Sequence, residues 1–280
     1  MMLVVMDSSA HAFFLDRFAS IYPFSHCVWR IPEAATQASF GSFVAPMLDL
    51  GCGDGTYFAI MLDRLGRPID PSTGTLGDVY GIDPLAEELV KAEKRGVYTK
   101  LFHGMSNAIP LPSESVNTVF SNSVVEHIAD KDGTIREVAR ILRSGGRYLF
   151  SAPSQNFALH FRFRGWLERV FGARVAQAWV DVINRKFIHH WIQSPEQWGD
   201  DLAKHGLVID SFRYTLSPEN AATWERYLIP SFAQHIPAKR FGWVPCSRVS
   251  RRALTRRFEQ LLEPDDLSNG GNVVILARKP

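Results

Sequence analysis

Between Met47 and Pro153, short apolar runs alternate with stretches whose apolar residues recur at helical spacing. This alternation predicts βαβ units feeding a parallel sheet. Met47–Leu50 reads as the first strand and Tyr57–Leu65 as the helix that follows. The run VYGID, 79–83, reads as the second strand. Pro84 then opens a helix through LAEELVKAEKRG, a position where its missing N–H costs nothing, and Gly96 ends it. Tyr98–His103 and Val116–Ser121 read as the third and fourth strands. Lys131–Leu142 carries Ile135, Val138, Ile141 and Leu142 at helical spacing; SGG is read as its stop and RYLFSAP, 147–153, as the fifth strand.

The second half is less regular. Phe157–Phe187 is aromatic, arginine-rich and helical in pattern. A helix starts at Ser194–Pro195, with Glu196 and Asp200 towards the end where acids suit the macrodipole. Leu207–Tyr214 reads as a strand, Ser217–Glu263 as an insertion of mixed character, and Val273–Ala277 as a final strand. Residues 10–40 form an amphipathic extension with several aromatics. The expectation is a single domain over 1–280, with a helical extension at 1–45, a ligand-binding core at 46–153 and further insertions and strands at 154–280.

Composition changes this picture little. The chain has 280 residues, 46% hydrophobic and 21% charged, which suits a soluble globular protein with a sizeable core. A net charge of +2 is too small to argue for nucleic acid. Cys27, Cys52 and Cys246 are scattered and form no CxxC pair, so neither a disulfide framework nor a zinc site is expected, and the cytoplasm is the simplest compartment. MMLVVMDSSA lacks the basic region of a signal peptide, and no run of about eighteen apolar residues predicts a membrane span.

The chemistry concentrates in MLDLGCGDG, 47–55, where an apolar strand ends in an acid and three glycines alternate. Glycine permits positive φ and close approach of a ligand to the backbone. A dinucleotide loop would read G-x-G-x-x-G, whereas this one reads G-x-G-x-G, with Asp49 where pyrophosphate would repel it. No GK[ST] follows, which excludes a P-loop. S-adenosylmethionine, with an ammonium, a sulfonium and no phosphate, suits an acid here.

With that, the chain resembles the class I S-adenosylmethionine-dependent methyltransferases, in their small-molecule, type 11-like group. DLGCGDG resembles the family's D-x-G-x-G-x-G loop, and GID its second-strand acid. AIPLPSESVNTVFS, VVEHI and REVARILRSGGRYLFSAP resemble the turn, fourth strand, following segment, helix and fifth strand of that family. The resemblance implies a Rossmann-like, doubly wound, seven-stranded, mostly parallel sheet, with helices on both faces and insertions after strands 5 and 6. It implies S-adenosyl-L-methionine as cofactor. Gly51, Gly53 and Gly55 would lie under the methionine part, with Asp49 organising the loop or facing the ammonium, and Asp83 would bind the ribose hydroxyls. Met105 stands where the family often has an acid for the adenine amino group; it would pack on the ring while the Ser106 N–H reaches a ring nitrogen. Ser121 and Asn122 would sit near the methionine moiety. The structural alternatives are a helix cap for Asp83, plain packing for Met105 and a loop filler for Cys52.

An oxygen or carbon acceptor would need a general base. His127, His160, His189, His190 and His235 are available, with His127 and His190 the catalytic candidates, and no spacing selects among them. Adjacent side chains of a regular element face apart, so at most one of His189 and His190 would enter a site. Tyr22, Trp29 and Arg30 are candidates to close over the cofactor, or core residues. From Ser154 to Gln260 there are sixteen Lys or Arg against nine Asp or Glu, interleaved with Phe157, Phe161, Phe163, Trp166 and Phe171. This fits a small-molecule acceptor that is anionic or lipid-like, a peripheral membrane contact, or a solvated helix face over a core. Nucleic acid is disfavoured: base-methylating enzymes carry an N/D/S-P-P-aromatic motif after the fourth strand, where this chain reads SNSV, 121–124. The alternatives in function are a non-catalytic S-adenosylmethionine-binding protein and a protein or RNA methyltransferase.

Overall fold

The computed structural model describes residues 8–241, 252–253, 255–256 and 267–280. The N-terminal run to Asp7, Cys246, most of the insertion beyond Phe241 and the side chain of His235 lie outside the described residues. The chain divides into two compact units. One comprises Phe40–Pro153, His189–Arg213 and Val273–Pro280; the other comprises Met1–Ser39, Ser154–Ile188 and Tyr214–Asn272.

Among the described residues seven strands form one sheet: β1 (Met47–Leu50), β2 (Val79–Asp83), β3 (Lys100–His103), β4 (Val116–Asn122), β5 (Leu142–Pro153), β6 (Val208–Thr215) and β7 (Asn272–Arg278). Their order is β3-β2-β1-β4-β5-β7-β6. The pairs from β3 through β5 are parallel. Gly145 donates to the Lys279 carbonyl and Ser154 to that of Gly271, so β7 runs against β5. All four residues of β1 are buried, which is why the strand reads as an unbroken apolar run apart from its acid. The chain progresses outwards one way from β1 and the other way from β4. Ligands bind at such a reversal, outside the carboxyl ends of the strands.

The helices of this sheet-bearing unit are α3 (Thr56–Leu65), α4 (Ala86–Glu93), α5 (Lys131–Ile141) and α8 (Pro195–Ala203). Local chemistry fixes their starts. Asp54 accepts from the Thr56 N–H and hydroxyl at α3, and Asp130 accepts from the Gly133 N–H at α5. Ser194 and Gln197 form a reciprocal capping box at α8, as the Ser194–Pro195 start predicted. β5 begins five residues before the predicted strand. The SGG run that reads as a helix stop lies inside it, because Gly145 and Gly146 are paired with Lys279.

The other unit holds α1 (Ser8–Phe18), α2 (Phe24–Ser39), α6 (Arg162–Phe171), α7 (Ala173–Phe187) and α9 (Pro218–Phe241). The aromatic stretch 157–187 is thus two helices. Gly172, at φ 85°, breaks it in a conformation that favours glycine. Phe161 stacks on Trp224 at 5.5 Å, and Trp29 and Phe157 complete the cluster. Trp29, Tyr22 and Arg30 are accounted for within this unit: Trp29 and Arg30 donate to Glu33, and Tyr22 meets Phe18 edge-on.

Candidate functional site

The glycine loop leaves β1 at its carboxyl end. The N–H groups of Gly51 and Cys52 both donate to the Ile82 carbonyl of β2, at 2.9 and 3.1 Å, so the chain turns back over the neighbouring strand. Gly51, Gly53 and Gly55 all have positive φ, at 72°, 52° and 71°. Their surroundings separate them. A Cβ on Gly51 would lie 2.5 Å from Cγ1 of Val124, and one on Gly55 would lie 2.9 Å from the Tyr98 ring. A Cβ on Gly53 would meet nothing within 4 Å. Gly51 and Gly55 serve packing, whereas Gly53 borders open space.

Asp83, at the end of β2, is buried and already oriented. One carboxylate oxygen accepts from the Gly53 N–H at 2.9 Å and the other from the Leu85 N–H at 2.9 Å. Each oxygen retains lone-pair capacity for a further donor such as a hydroxyl. The same geometry caps the turn before α4, so the capping and ligand-binding readings coexist in one residue.

Asp49 is buried in β1 and accepts from the Tyr98 hydroxyl at 2.6 Å. Burial pushes its carboxyl up to about 7, the Tyr98 hydrogen bond pulls the other way, and the charge of Asp83 adds to the rise. Burial likewise pushes the Tyr98 phenol and the Cys52 thiol far up, with Asp49 adding to both. A raised thiol disfavours the thiolate, so burial works against Cys52 as a nucleophile. Tyr98 links Asp49 to the glycine loop, since its hydroxyl donates to Asp49 and its ring lies where a Gly55 side chain would be.

The remaining candidates divide by exposure. Met105 is exposed after β3, and the Ser106 hydroxyl shares a hydrogen bond with Thr134 at 2.8 Å. The Ser121 side chain is fully buried in β4. Asn122 accepts from the Ser151 hydroxyl, which in turn accepts from the Ser123 N–H, and Ser123 has φ 50°. This ties the end of β4 to β5 just where the chain leaves the sheet.

Beyond that exit a single 3₁₀ turn, Val125–His127, carries Glu126 and His127. Nε2 of His127 lies 3.7 Å from Oε1 of Glu126, whose carboxylate is buried. The ring of His189 stacks on that of His127 with centroids 5.5 Å apart. One ligand atom from each of the three residues lies within 4.8 Å of the others. Burial and the charge of His127 push His189 down to about 4. His190 contributes its backbone instead: its N–H donates to the Glu126 carbonyl at 2.7 Å, and its side chain is exposed. Ile188, in the left-handed region at φ 56°, caps the end of α7 just before the two adjacent histidines. Among the other candidates, the His160 ring is engaged with the Asn269 carbonyl at 2.8 Å.

The loop carrying His189 is pinned from three sides. The Trp191 indole donates to the Ile128 carbonyl at 2.7 Å, Lys131 sits 4.1 Å over the Trp191 ring, and Lys131 also donates to Gln193. Lys131 pairs with Asp201. Burial alone would raise Asp201, but hydrogen bonds from Lys131, Lys204 and Gln193 overcome it and hold that carboxyl down at about 2.

Comparison with known proteins agrees with this geometry. Residues 48–150 match a family described as "Methyltransferase domain". A ubiquinone biosynthesis O-methyltransferase from Ruegeria sp. (strain TM1040) is 27% identical over 189 residues, which covers 66% of this chain and 69% of that protein. Other curated relatives are matched over much less of their length, 29% of one and 38% of another. Among solved structures, geranyl diphosphate C-methyltransferase from Streptomyces coelicolor A3(2) superposes with a TM-score of 0.55 at 17% identity, over 89% of this chain and 77% of that one. A putative sarcosine dimethylglycine methyltransferase from Galdieria sulphuraria gives 0.54 at 16%, over 90% and 83%. At these identities the structures speak for the fold alone. The motif set, the parallel sheet with its reversal at β1 and β4, and the match over residues 48–150 together give this chain a methyltransferase domain of the class I S-adenosylmethionine-dependent type.

Proposed function

We propose that this chain transfers a methyl group from S-adenosylmethionine to a small-molecule acceptor that is anionic or lipid-like. The observation that carries the reading is the open space at Gly53 beside a carboxylate, Asp83, already aligned by the Gly53 and Leu85 N–H groups. When bound, S-adenosylmethionine supplies a methyl group already activated on its sulfonium. The work left to the residues is largely positioning, which can contribute roughly 7–11 kcal/mol. Asp83 would orient the ribose, Gly53 would admit the ligand to the backbone, and Asp49 with Tyr98 would hold the loop in shape. Met105 and the Ser106 N–H would border the adenine, and Asn122 the methionine end.

Three observations support the acceptor class. The Ruegeria relative is named for ubiquinone biosynthesis, and the Streptomyces structure was solved with geranyl diphosphate. On α6, Phe163, Trp166 and Phe171 are exposed beside Arg162, Arg164 and Arg169, which suits an anionic, lipid-like partner or a membrane surface. No helix among the described residues is long and apolar enough to cross a membrane. We infer the cytoplasm as the compartment, since the buried thiols of Cys27 and Cys52 are unpaired and suit a reducing milieu.

The test is calorimetric titration with S-adenosylhomocysteine, followed by incubation with labelled cofactor and metabolite extract and mass spectrometry of the products. Binding together with label on an anionic or prenylated small molecule is the expected result. Binding without transfer to any acceptor favours a non-catalytic cofactor-binding protein.

A further inference from the structure

Glu126, His127 and His189 bring a carboxylate and two imidazoles together from segments 62 residues apart, and neither the glycine loop nor Asp83 has a use for them. We propose that they form a three-ligand site for a zinc-like divalent cation at the exit of β4.

The argument begins with ligand type. One carboxylate and two imidazoles match the ligand set of open catalytic zinc sites, whereas magnesium prefers all-oxygen octahedra. Distance comes next. Zinc bonds of about 2.0–2.2 Å place tetrahedral ligand atoms roughly 3.4 Å apart. Glu126 and His127 stand at 3.7 Å, and no pair in the set exceeds 4.8 Å. His127 is the most exposed of the three.

The third support is the frame. The buried Glu126 sits in a turn whose carbonyl accepts from the His190 N–H at 2.7 Å. Trp191 donates to the carbonyl of Ile128, and Lys131 holds Gln193 at 2.6 Å. The two segments are therefore fixed to each other by bonds that involve none of the three ligand side chains. Such outer support is what orients metal ligands in general.

Location gives the site its meaning. Val124, two residues before Glu126, fills the place that a Gly51 side chain would take. The cluster thus adjoins the glycine loop. Three protein ligands leave a fourth corner for water or an oxygen anion. Its use by the acceptor's oxygen rests on the methyl-transfer reading above; the cation site itself does not.

The experiment strips the full chain with a chelator and titrates it with Zn²⁺ by calorimetry, and with Co²⁺ by visible absorption. One equivalent bound per chain, with the absorption of a four-coordinate Co²⁺ site, is expected. His127→Ala and His189→Ala should each weaken binding at least tenfold, while His190→Ala, one position away, should not. His127 is exposed, so its variant folds independently of the outcome for buried Glu126→Gln. No saturable binding, equal loss in His190→Ala, or preference for Mg²⁺ over Zn²⁺ would each overturn the proposal. Titration of the same preparations with S-adenosylhomocysteine separates the two readings. A chain that binds the nucleoside but no metal sinks this site alone, and one that binds metal but no nucleoside sinks the cofactor assignment alone.

Discussion

In the Gly51–Asp83 region polar atoms at strand ends are held by backbone N–H groups and by Tyr98, in a buried frame. On α6, by contrast, the rings of Phe163, Trp166 and Phe171 are 45%, 49% and 58% exposed and meet one another and Trp179. The first region is specified to the atom, the second only by its character. A ligand of fixed chemistry selects residue types at fixed spacing. A partner recognised by apolar bulk and charge leaves composition but no spacing.

The largest effects should come from the glycines, which also test the difference within the loop. Gly51→Val places a β-branched side chain at φ 72° and drives it into Val124. Overpacking and left-handed strain together should cost about 2–5 kcal/mol, read as a lowered urea midpoint. Gly53→Ala meets no neighbour, so its fold should lose only roughly 1–2 kcal/mol from the left-handed backbone, while affinity for S-adenosylhomocysteine drops tenfold or more. Equal behaviour of the two variants would erase the distinction between packing and ligand-facing glycines.

Asp83→Ala should weaken S-adenosylmethionine binding by roughly 1.5–3 kcal/mol, since hydrogen bonds to a charged group are lost. Unchanged affinity in calorimetry would remove Asp83 from the site and leave it as a cap.

Asp49 gives a pH test. Its folded pKa, about 7, is above the ordinary value of 3.8. The folded state therefore holds more protons than the unfolded state between these values, and stability falls as pH rises through that window. One proton corresponds to about 1.4 kcal/mol per pH unit. Urea denaturation of Asp49→Asn between pH 4.5 and 7 should show that slope removed relative to the parent; an identical slope would mean that another group carries it.

The smallest effect on stability belongs to α6. Trp166→Ala with Phe171→Ala should leave thermal stability within about 0.5 kcal/mol, as for surface positions generally. The same pair should reduce co-sedimentation with vesicles of anionic lipid. Unaltered sedimentation would return these rings to the role of a plain solvated face.

Much of the sheet was legible in the sequence for a physical reason. β1 and β2 coincide with their predicted bounds because a buried parallel strand is an apolar run, here ended by an acid or glycine. β5 was mis-bounded because SGG stops a helix when read locally, and only its pairing with Lys279 makes it strand. The break at Gly172 was missed for the opposite reason: one glycine inside a long helical pattern is a weak signal until its φ is known.

In the candidate site, motif spacing singles out Gly53 and Asp83, and the structure joins them by a hydrogen bond. Spacing does not single out Tyr98, because its role depends on strand register, with Asp49 opposite Gly81 and Gly81 opposite Leu101. Of the adjacent histidines, His190 turns its backbone N–H to the Glu126 carbonyl, whereas the His189 ring stacks on His127. Glu126 is adjacent to His127, and adjacency in sequence seldom means a shared face. The 3₁₀ turn and the bonds from His190, Trp191 and Lys131 bring the two segments together, and these are not readable from spacing.

The contact between Val124 and Gly51 carries a last consequence. Because Val124 occupies the volume that a Gly51 side chain would take, the glycine loop packs directly against the residue that leads into the turn bearing Glu126 and His127. If the two proposed sites are coupled through this contact, the coupling acts equally in both directions, since linkage between binding free energies is reciprocal. Calorimetric titration of the nucleoside with and without Zn²⁺, in the parent and in Val124→Ala, reads whether this contact couples the two proposed sites.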